Sequence, residues 1–178
     1  LVQRKAEILA ANELDISQAK ESGMVESLID RLLLTSERID GIANAARKVS
    51  RLPDPLQQTL RERTLENGLH LRQVSVPFGV IGMIYEARPN VTVDAAVILL
   101  MSGNAALLRG SASASESNSV LITIMKDALS TTTISPEVIQ LVPSDDRNSV
   151  TALLHARGSI DLVIPRGSAE LIRMVVDE

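Results

Sequence analysis

Residues 76–110 read VPFGVIGMIYEARPNVTVDAAVILLMSGNAALLRG, and this stretch decides the fold. An apolar run at Val80–Tyr85 ends in a polar turn, Glu86-Ala87-Arg88-Pro89-Asn90. A helical pattern over 92–102 follows, and a second apolar run at Ala105–Arg109 closes on Gly110. Strands that are apolar throughout, rather than alternating, are expected where helices cover both faces of a parallel sheet. The rhythm continues with strands at 138–142 and 162–165 and helices at 114–130, 146–156 and 168–177. The fold class this predicts is α/β, a parallel sheet with crossover helices.

Upstream the period changes twice. Apolar positions recur at helical spacing over 1–51, broken at Gly23 and restarted at Thr35, which is placed to cap a new helix. Pro53-Asp54-Pro55 ends that region, because proline lacks a donor and restricts its predecessor. Two short runs, 59–65 and 69–74, flank Glu66-Asn67-Gly68, which predicts a β-hairpin with a type I′ turn. The expected organisation is a helical segment at 1–58, a hairpin arm at 59–76 and a nucleotide-binding α/β portion at 77–178. The arm is read either as an oligomerisation element or as a hairpin packed on its own domain. The chain opens inside a helical pattern without an initiator Met and closes as soon as its last helix is complete, so it reads as a piece of a longer polypeptide.

Composition narrows the function classes. The 178 residues are 45% apolar and 22% charged, a globular balance with mass enough for one core. The only aromatic residues are Phe78 and Tyr85, so no platform exists for stacking single-stranded bases. A net charge of −4 provides no basic field for nucleic acid or an acidic membrane surface. No apolar run approaches the ~20 residues of a membrane helix, and the expected compartment is the cytoplasm. The absence of cysteine fits that compartment without proving it.

Three turns carry candidate chemistry. In Arg109-Gly110-Ser111-Ala112-Ser113 a strand runs into small residues and a helix start. Helix N–H groups and dipole favour an anion there, and Arg109 can clamp a phosphate. The bland alternative is that the serines cap the helix and Arg109 is a solvated charge. In the turn after Tyr85, Arg88 can hold a carboxylate or phosphate and Asn90 can donate to an oxyanion; equally, Asn90 can simply cap a helix. Ile164-Pro165-Arg166-Gly167-Ser168 is a third turn at the same sheet edge, where open parallel sheets bind ligands. No GxGxxG fingerprint is present. His70 and His155 are isolated and read as structural, no metal-ligand spacing exists, and Asp15, Glu26 and Asp40 read as solvated helix faces.

The segments PFGVIGMIYEARPNVTVDAA, SGNAALLRG and IDLVIPRGSAELI, with AANELDISQAKESGM, DRLLLTSERIDGIA and LPDP upstream, resemble the gamma-glutamyl phosphate reductase (glutamate-5-semialdehyde dehydrogenase) family of the aldehyde dehydrogenase superfamily. The resemblance spans nearly the whole chain but well under half of a typical member. It implies a three-layer, Rossmann-type parallel sheet preceded by the helical segment and the hairpin. It also implies NADPH-dependent reduction of gamma-glutamyl phosphate to glutamate semialdehyde in proline biosynthesis, through a thioester on a cysteine. By position it assigns Arg109, Gly110 and Ser111 to the adenosine ribose, with arginine favouring the 2′-phosphate of NADP. Gly167 and Ser168 fall to the pyrophosphate and nicotinamide side, Arg88 to the substrate and Asn90 to the oxyanion. Expected partners are the small-molecule substrate, further copies of the chain in a homo-oligomer, and functional coupling to glutamate 5-kinase. The family's nucleophilic cysteine is missing from these residues, and they are expected to be inactive by themselves. The alternatives are a non-catalytic nucleotide-binding or assembly module of the same fold, and an acylating dehydrogenase with another acyl donor.

Overall fold

The computed structural model of the chain describes residues 1–144, 146 and 148–177. The N-terminal region forms α1 (Lys5–Glu21), α2 (Glu26–Leu32) and α3 (Ser36–Val49); β1 (Thr59–Thr64) and β2 (His70–Val74) form the hairpin. Then come β3 (Val80–Tyr85), α4 (Pro89–Met101), β4 (Ala105–Arg109), α5 (Ser115–Leu129), β5 (Ile139–Leu141), α6 (Asn148–His155), β6 (Leu162–Arg166) and α7 (Ala169–Asp177). Residue 147, within the helix expected at 146–156, lies outside the described residues.

The sheet runs β5-β4-β3-β6, all parallel. Alternation of side chains across it divides the core. Ile81, Tyr85, Ala106 and Leu108 pack against Val91, Ala95, Ala96 and Leu99 of α4 and Ile122 of α5. On the opposite face Ile84 packs with Val150 and Leu153 of α6 and with Leu171 and Val175 of α7. This is the three-layer α/β arrangement read from the strands' continuous apolar character. A further layer lies outside α4 and α5, where Ile8, Leu34, Ile39 and Ile42 share a core with Val93, Leu121 and Ile124.

Strand order creates the functional edge. The chain steps outward from β3 to β4 and β5, then returns to place β6 on β3's other side. Connections therefore diverge beyond the carboxyl ends of β3 and β6, which opens a crevice there. The strands end almost level, with Ile84 beside Arg109 and Tyr85 beside Arg166.

Three local details differ from the sequence reading. Asn67 does not take positive φ: Gly68 N–H closes a turn onto Leu65 C=O at 2.9 Å, and Gly68 alone is left-handed, at φ 83°. The loop is thus a turn followed by a glycine bulge, which needs only one left-handed residue where type I′ needs two. Helix α4 starts at Pro89, before the expected position, because proline's fixed φ suits the first helical residue. Asn90 is inside that first turn and does not cap it. Asp15 is no solvated face: it is 1% exposed, and its carboxylate accepts from Glu116 N–H (3.1 Å) and Ser117 N–H (2.9 Å) at the start of α5. Thr35 caps α3 as expected, accepting from Arg38 N–H at 3.2 Å. Among the described residues no helix is long and apolar enough to cross a membrane.

Candidate functional site

The turns after β3, β4 and β6 line one cavity of about 590 Å³ beyond the sheet's carboxyl edge. Glu86, Ala87 and Arg88 come from the first turn, Ser111 and Ser113 from the second, and Arg166, Gly167 and Ser168 from the third. Met24, Leu28 and Arg31 of the N-terminal helical region close another side. The cavity lies at the divergence of β3 and β6, the position that parallel-sheet topology favours for a ligand.

Its floor is a buried hydrogen-bond chain. Thr92 Oγ1 donates to Asn118 Oδ1 at 2.6 Å, so its single proton is committed and the Tyr85 hydroxyl donates to Thr92 at 2.7 Å. Burial raises the Tyr85 phenol to about 12, partly offset by its Thr92 partner, so it stays a neutral donor. This chain ties β3, α4 and α5 beneath the turn at Gly110. A side chain there would collide with the Asn118 amide and stand 3.2 Å from the Tyr85 ring. Gly167 is exposed, and a Cβ there would lie 2.7 Å from Cδ of the exposed Glu86 side chain. These glycines let backbone sit where a side chain would intrude.

The expected anion contacts are distributed unevenly. The N–H groups of α5 that seemed available for an anion are occupied by Asp15, an arrangement that also satisfies the helix dipole. Ser111 caps a short turn, accepting from Ser113 N–H at 3.3 Å while its hydroxyl meets that of Ser113 at 2.8 Å. At the other turn Ser168 accepts from Leu171 N–H at 3.3 Å and opens α7 at the cavity's edge.

Arg109 does not line this cavity. Its guanidinium turns toward the segment after β5, donating to Ser149 Oγ and Ser144 C=O, each at 3.3 Å. Both acceptors are neutral and both bonds are long. Half-burial moves the guanidinium pKa below its usual value.

Arg88 and Asn90 meet in a second cavity of about 400 Å³, lined also by Asp30, Arg31, Leu33, Leu34, Arg38 and Ile42. Asn90 Nδ2 donates to Asp94 Oδ2 at 3.2 Å, one turn along α4. The sequence reading thus finds Arg88, Ser111, Gly167 and Ser168 around one space, with Asn90 in the second cavity and Arg109 turned toward the segment after β5. It misses Arg31 and Met24, whose short helical neighbourhood carries no motif and whose place depends on tertiary packing. His70 lies on the exposed hairpin, where its Nδ1 meets Thr64 Oγ1 at 2.9 Å.

Comparison with known proteins agrees with this geometry. The aldehyde dehydrogenase family model matches residues 1–178. A gamma-glutamyl phosphate reductase from Thermobifida fusca is 53% identical over 178 residues, which are 100% of this chain and 43% of that protein. The crystal structure of gamma-glutamyl phosphate reductase from Thermotoga maritima superposes with a TM-score of 0.95 at 41% identity, over 98% of this chain and 42% of that one. The Saccharomyces cerevisiae reductase gives 0.89 at 32% identity, over 98% and 45%. The chain therefore spans less than half the length of these relatives. With its full length matched, the chain belongs to the aldehyde dehydrogenase family.

Proposed function

We propose that this chain is the cofactor-binding portion of an enzyme that reduces L-glutamyl 5-phosphate to L-glutamate 5-semialdehyde and phosphate with NADPH, in proline biosynthesis. The observation that carries this reading is the convergence of three strand ends on one cavity in a chain 53% identical to a gamma-glutamyl phosphate reductase.

The cavity and the chemistry of its walls fit a nicotinamide dinucleotide. Gly167 admits close approach of a pyrophosphate, and Ser168 with the first turn of α7 offers N–H and hydroxyl donors. Gly110 and Ser111 fit the adenosine ribose. Arg109, held among the described residues by two long bonds to neutral oxygens, can exchange them for a 2′-phosphate, which favours NADP over NAD. Bound there, NADPH supplies a hydride to the acyl carbon. Arg88 anchors the substrate, and Asn90, with one N–H given to Asp94, has a second for the developing oxyanion.

Acyl transfer requires a thiolate to displace phosphate, and the 178 residues contain no cysteine. That nucleophile is supplied from outside this sequence, so the chain alone binds but does not turn over. The helices of 1–58 serve as a wall of the site carried by 77–178, and the hairpin of 59–76, exposed along both strands, serves assembly into a homo-oligomer. Acyl phosphates hydrolyse readily, which favours functional coupling to the glutamate 5-kinase that makes the substrate, in the cytoplasm.

The missing cysteine also favours a second reading, a non-catalytic nucleotide-binding or assembly module. One experiment separates them. The chain is grafted in place of the matching segment of the Thermobifida fusca reductase, and NADPH formation is followed from glutamate semialdehyde, phosphate and NADP. Activity near that of the parent supports the enzyme; a folded, inactive chimera supports the module.

A further inference from the structure

Two residues line both cavities: Arg31 of α2 and Arg88 at the start of α4. Arg31 and Arg88 are therefore part of the wall between the two spaces. Neighbouring Arg38 is spoken for, donating to Asp30 Oδ1 at 2.7 Å and to Leu33 C=O at 2.8 Å. Among the described residues the side chains of Arg31 and Arg88 make no hydrogen bond or ion pair. Arg31, Arg88 and Arg166 outnumber the carboxylate of Glu86 on the first cavity's wall, and in the second Asp30 is paired with Arg38, so an anion between Arg31 and Arg88 relieves repulsion between like charges.

Arg31 is held in position, although it is exposed. Leu32, next to it, is 0% exposed and packs with Ile16, Ala19 and Ala114. Asn12, 2% exposed, clamps the backbone on that side: Nδ2 donates to Leu32 C=O at 2.9 Å and Oδ1 accepts from Leu34 N–H at 2.7 Å. The same Asn12 Nδ2 donates to Ser117 Oγ at 3.0 Å, tying the end of α2 to α5. The base of Arg31 is thus fixed to the core that also carries the first cavity.

Resting on the function proposed above, we infer that Arg31 and Arg88 together hold the phosphoryl group of the acyl phosphate, and that Arg31 is a specificity-determining residue. A dinucleotide held in the first cavity would supply hydride to the acyl carbon, which would then lie on the side of that cavity bounded by Arg31 and Arg88, where the second cavity adjoins it. In an acyl phosphate the phosphoryl oxygen is bonded to that same carbon. Until a thiolate displaces it, the group beside that carbon is therefore the phosphate, and Arg31 and Arg88, which line both cavities, would flank it. Paired forks of N–H donors match a phosphate dianion in charge and geometry. The amino-acid end of the substrate then extends into the second cavity, past Asn90.

Two measurements test this. In the first, inorganic phosphate is added to the 178-residue chain at constant ionic strength. Its unfolding temperature should rise, and the rise should be lost in Arg31→Met and in Arg88→Met; no rise, or one that survives both changes, overturns the assignment. In the second, the chimera described above is assayed from the semialdehyde side, where phosphate is a free substrate. Arg31→Met should raise KM for phosphate by about tenfold or more with KM for NADP unmoved, and Arg31→Lys, which keeps charge but loses the fork, should fall between. A change confined to NADP would reassign Arg31 to the cofactor, and one confined to the semialdehyde would reassign it to the carboxylate; either overturns the proposal, as does full rescue by lysine. If the unsubstituted chimera is inactive the enzymatic reading fails and this one with it, whereas an active chimera indifferent to Arg31 sinks only this one.

Discussion

A buried carboxylate with no cation beside it is costly unless hydrogen bonds replace its water. Asp15 meets that requirement with two backbone N–H groups at the start of α5, where the helix dipole also favours negative charge. Asp15→Ala leaves the buried Ser117 N–H and the part-buried Glu116 N–H without their acceptor and should lower stability by about 2 kcal/mol; urea unfolding of the chain measures it, and an unchanged midpoint would refute the role. Tyr85 offers a cleaner readout, because it is the only tyrosine and no tryptophan is present. Burial raises its pKa to about 12 from the ordinary 10.0. A phenol with a raised folded-state pKa contributes stability that is complete below pH 10 and lost as pH climbs through 12. Ultraviolet titration of the folded chain should therefore show no phenolate step around pH 10, and Tyr85→Phe should remove the alkaline loss of stability between these limits. A phenolate appearing at the ordinary pH would mean the ring is solvated.

Among elements, β3, β4 and β6 of the parallel sheet were legible because they are largely apolar on both faces, a pattern that burial between helix layers explains. Thr35 was legible as a cap because its partner is three residues away. What sequence does not encode locally was not legible. The partner of Asp15 lies 102 positions along the chain, so a carboxylate on a helix face gives no sign of burial until the opposing helix is known. The direction of Arg109 depends likewise on Ser149, 40 positions on, and the backbone of Asn67 on twist that glycine alone relieves. The turn between β4 and α5 shows how elements constrain one another. Gly110 is buried under the Tyr85 ring and the Asn118 amide, itself 1% exposed and bonded to Thr92, so neither neighbour can swing aside. Gly110→Ala should cost about 1–3 kcal/mol by overpacking and distort the cavity floor. Gly167→Ala meets only the exposed Glu86 chain and Leu171 and should cost less. Calorimetry of both variants checks the order, and equal losses would contradict a rigid floor at Gly110.

At the scale of the whole molecule, apolar surface is concentrated away from the core. Leu60 is 61% exposed, Leu69 53%, Val76 70% and Phe78 70%, all on the hairpin or its stem. A second area lies on α7, where Ile172 is 44% and Val176 77% exposed, beside the outer edge of β6, which pairs with no other strand among the described residues. Monomeric proteins rarely leave such patches open, and an unpaired strand edge is a template for another chain. The two areas imply different coverings. The hairpin projects both faces and carries its own ladder from Thr59 to Val74, so it suits a second copy of the chain. The α7 side extends a sheet whose core is already built, so it suits another segment of the same fold. Sedimentation velocity of the 178-residue chain should accordingly show concentration-dependent self-association. Replacing Leu60 and Phe78 with lysine should weaken it if the hairpin carries the contact, and Ile172→Lys with Val176→Lys should weaken it if the β6 edge does. The hairpin pair is expected to have the larger effect, because the hairpin strands contribute no residue to the buried core. A chain that stays monomeric at every concentration would show that neither surface is an interface.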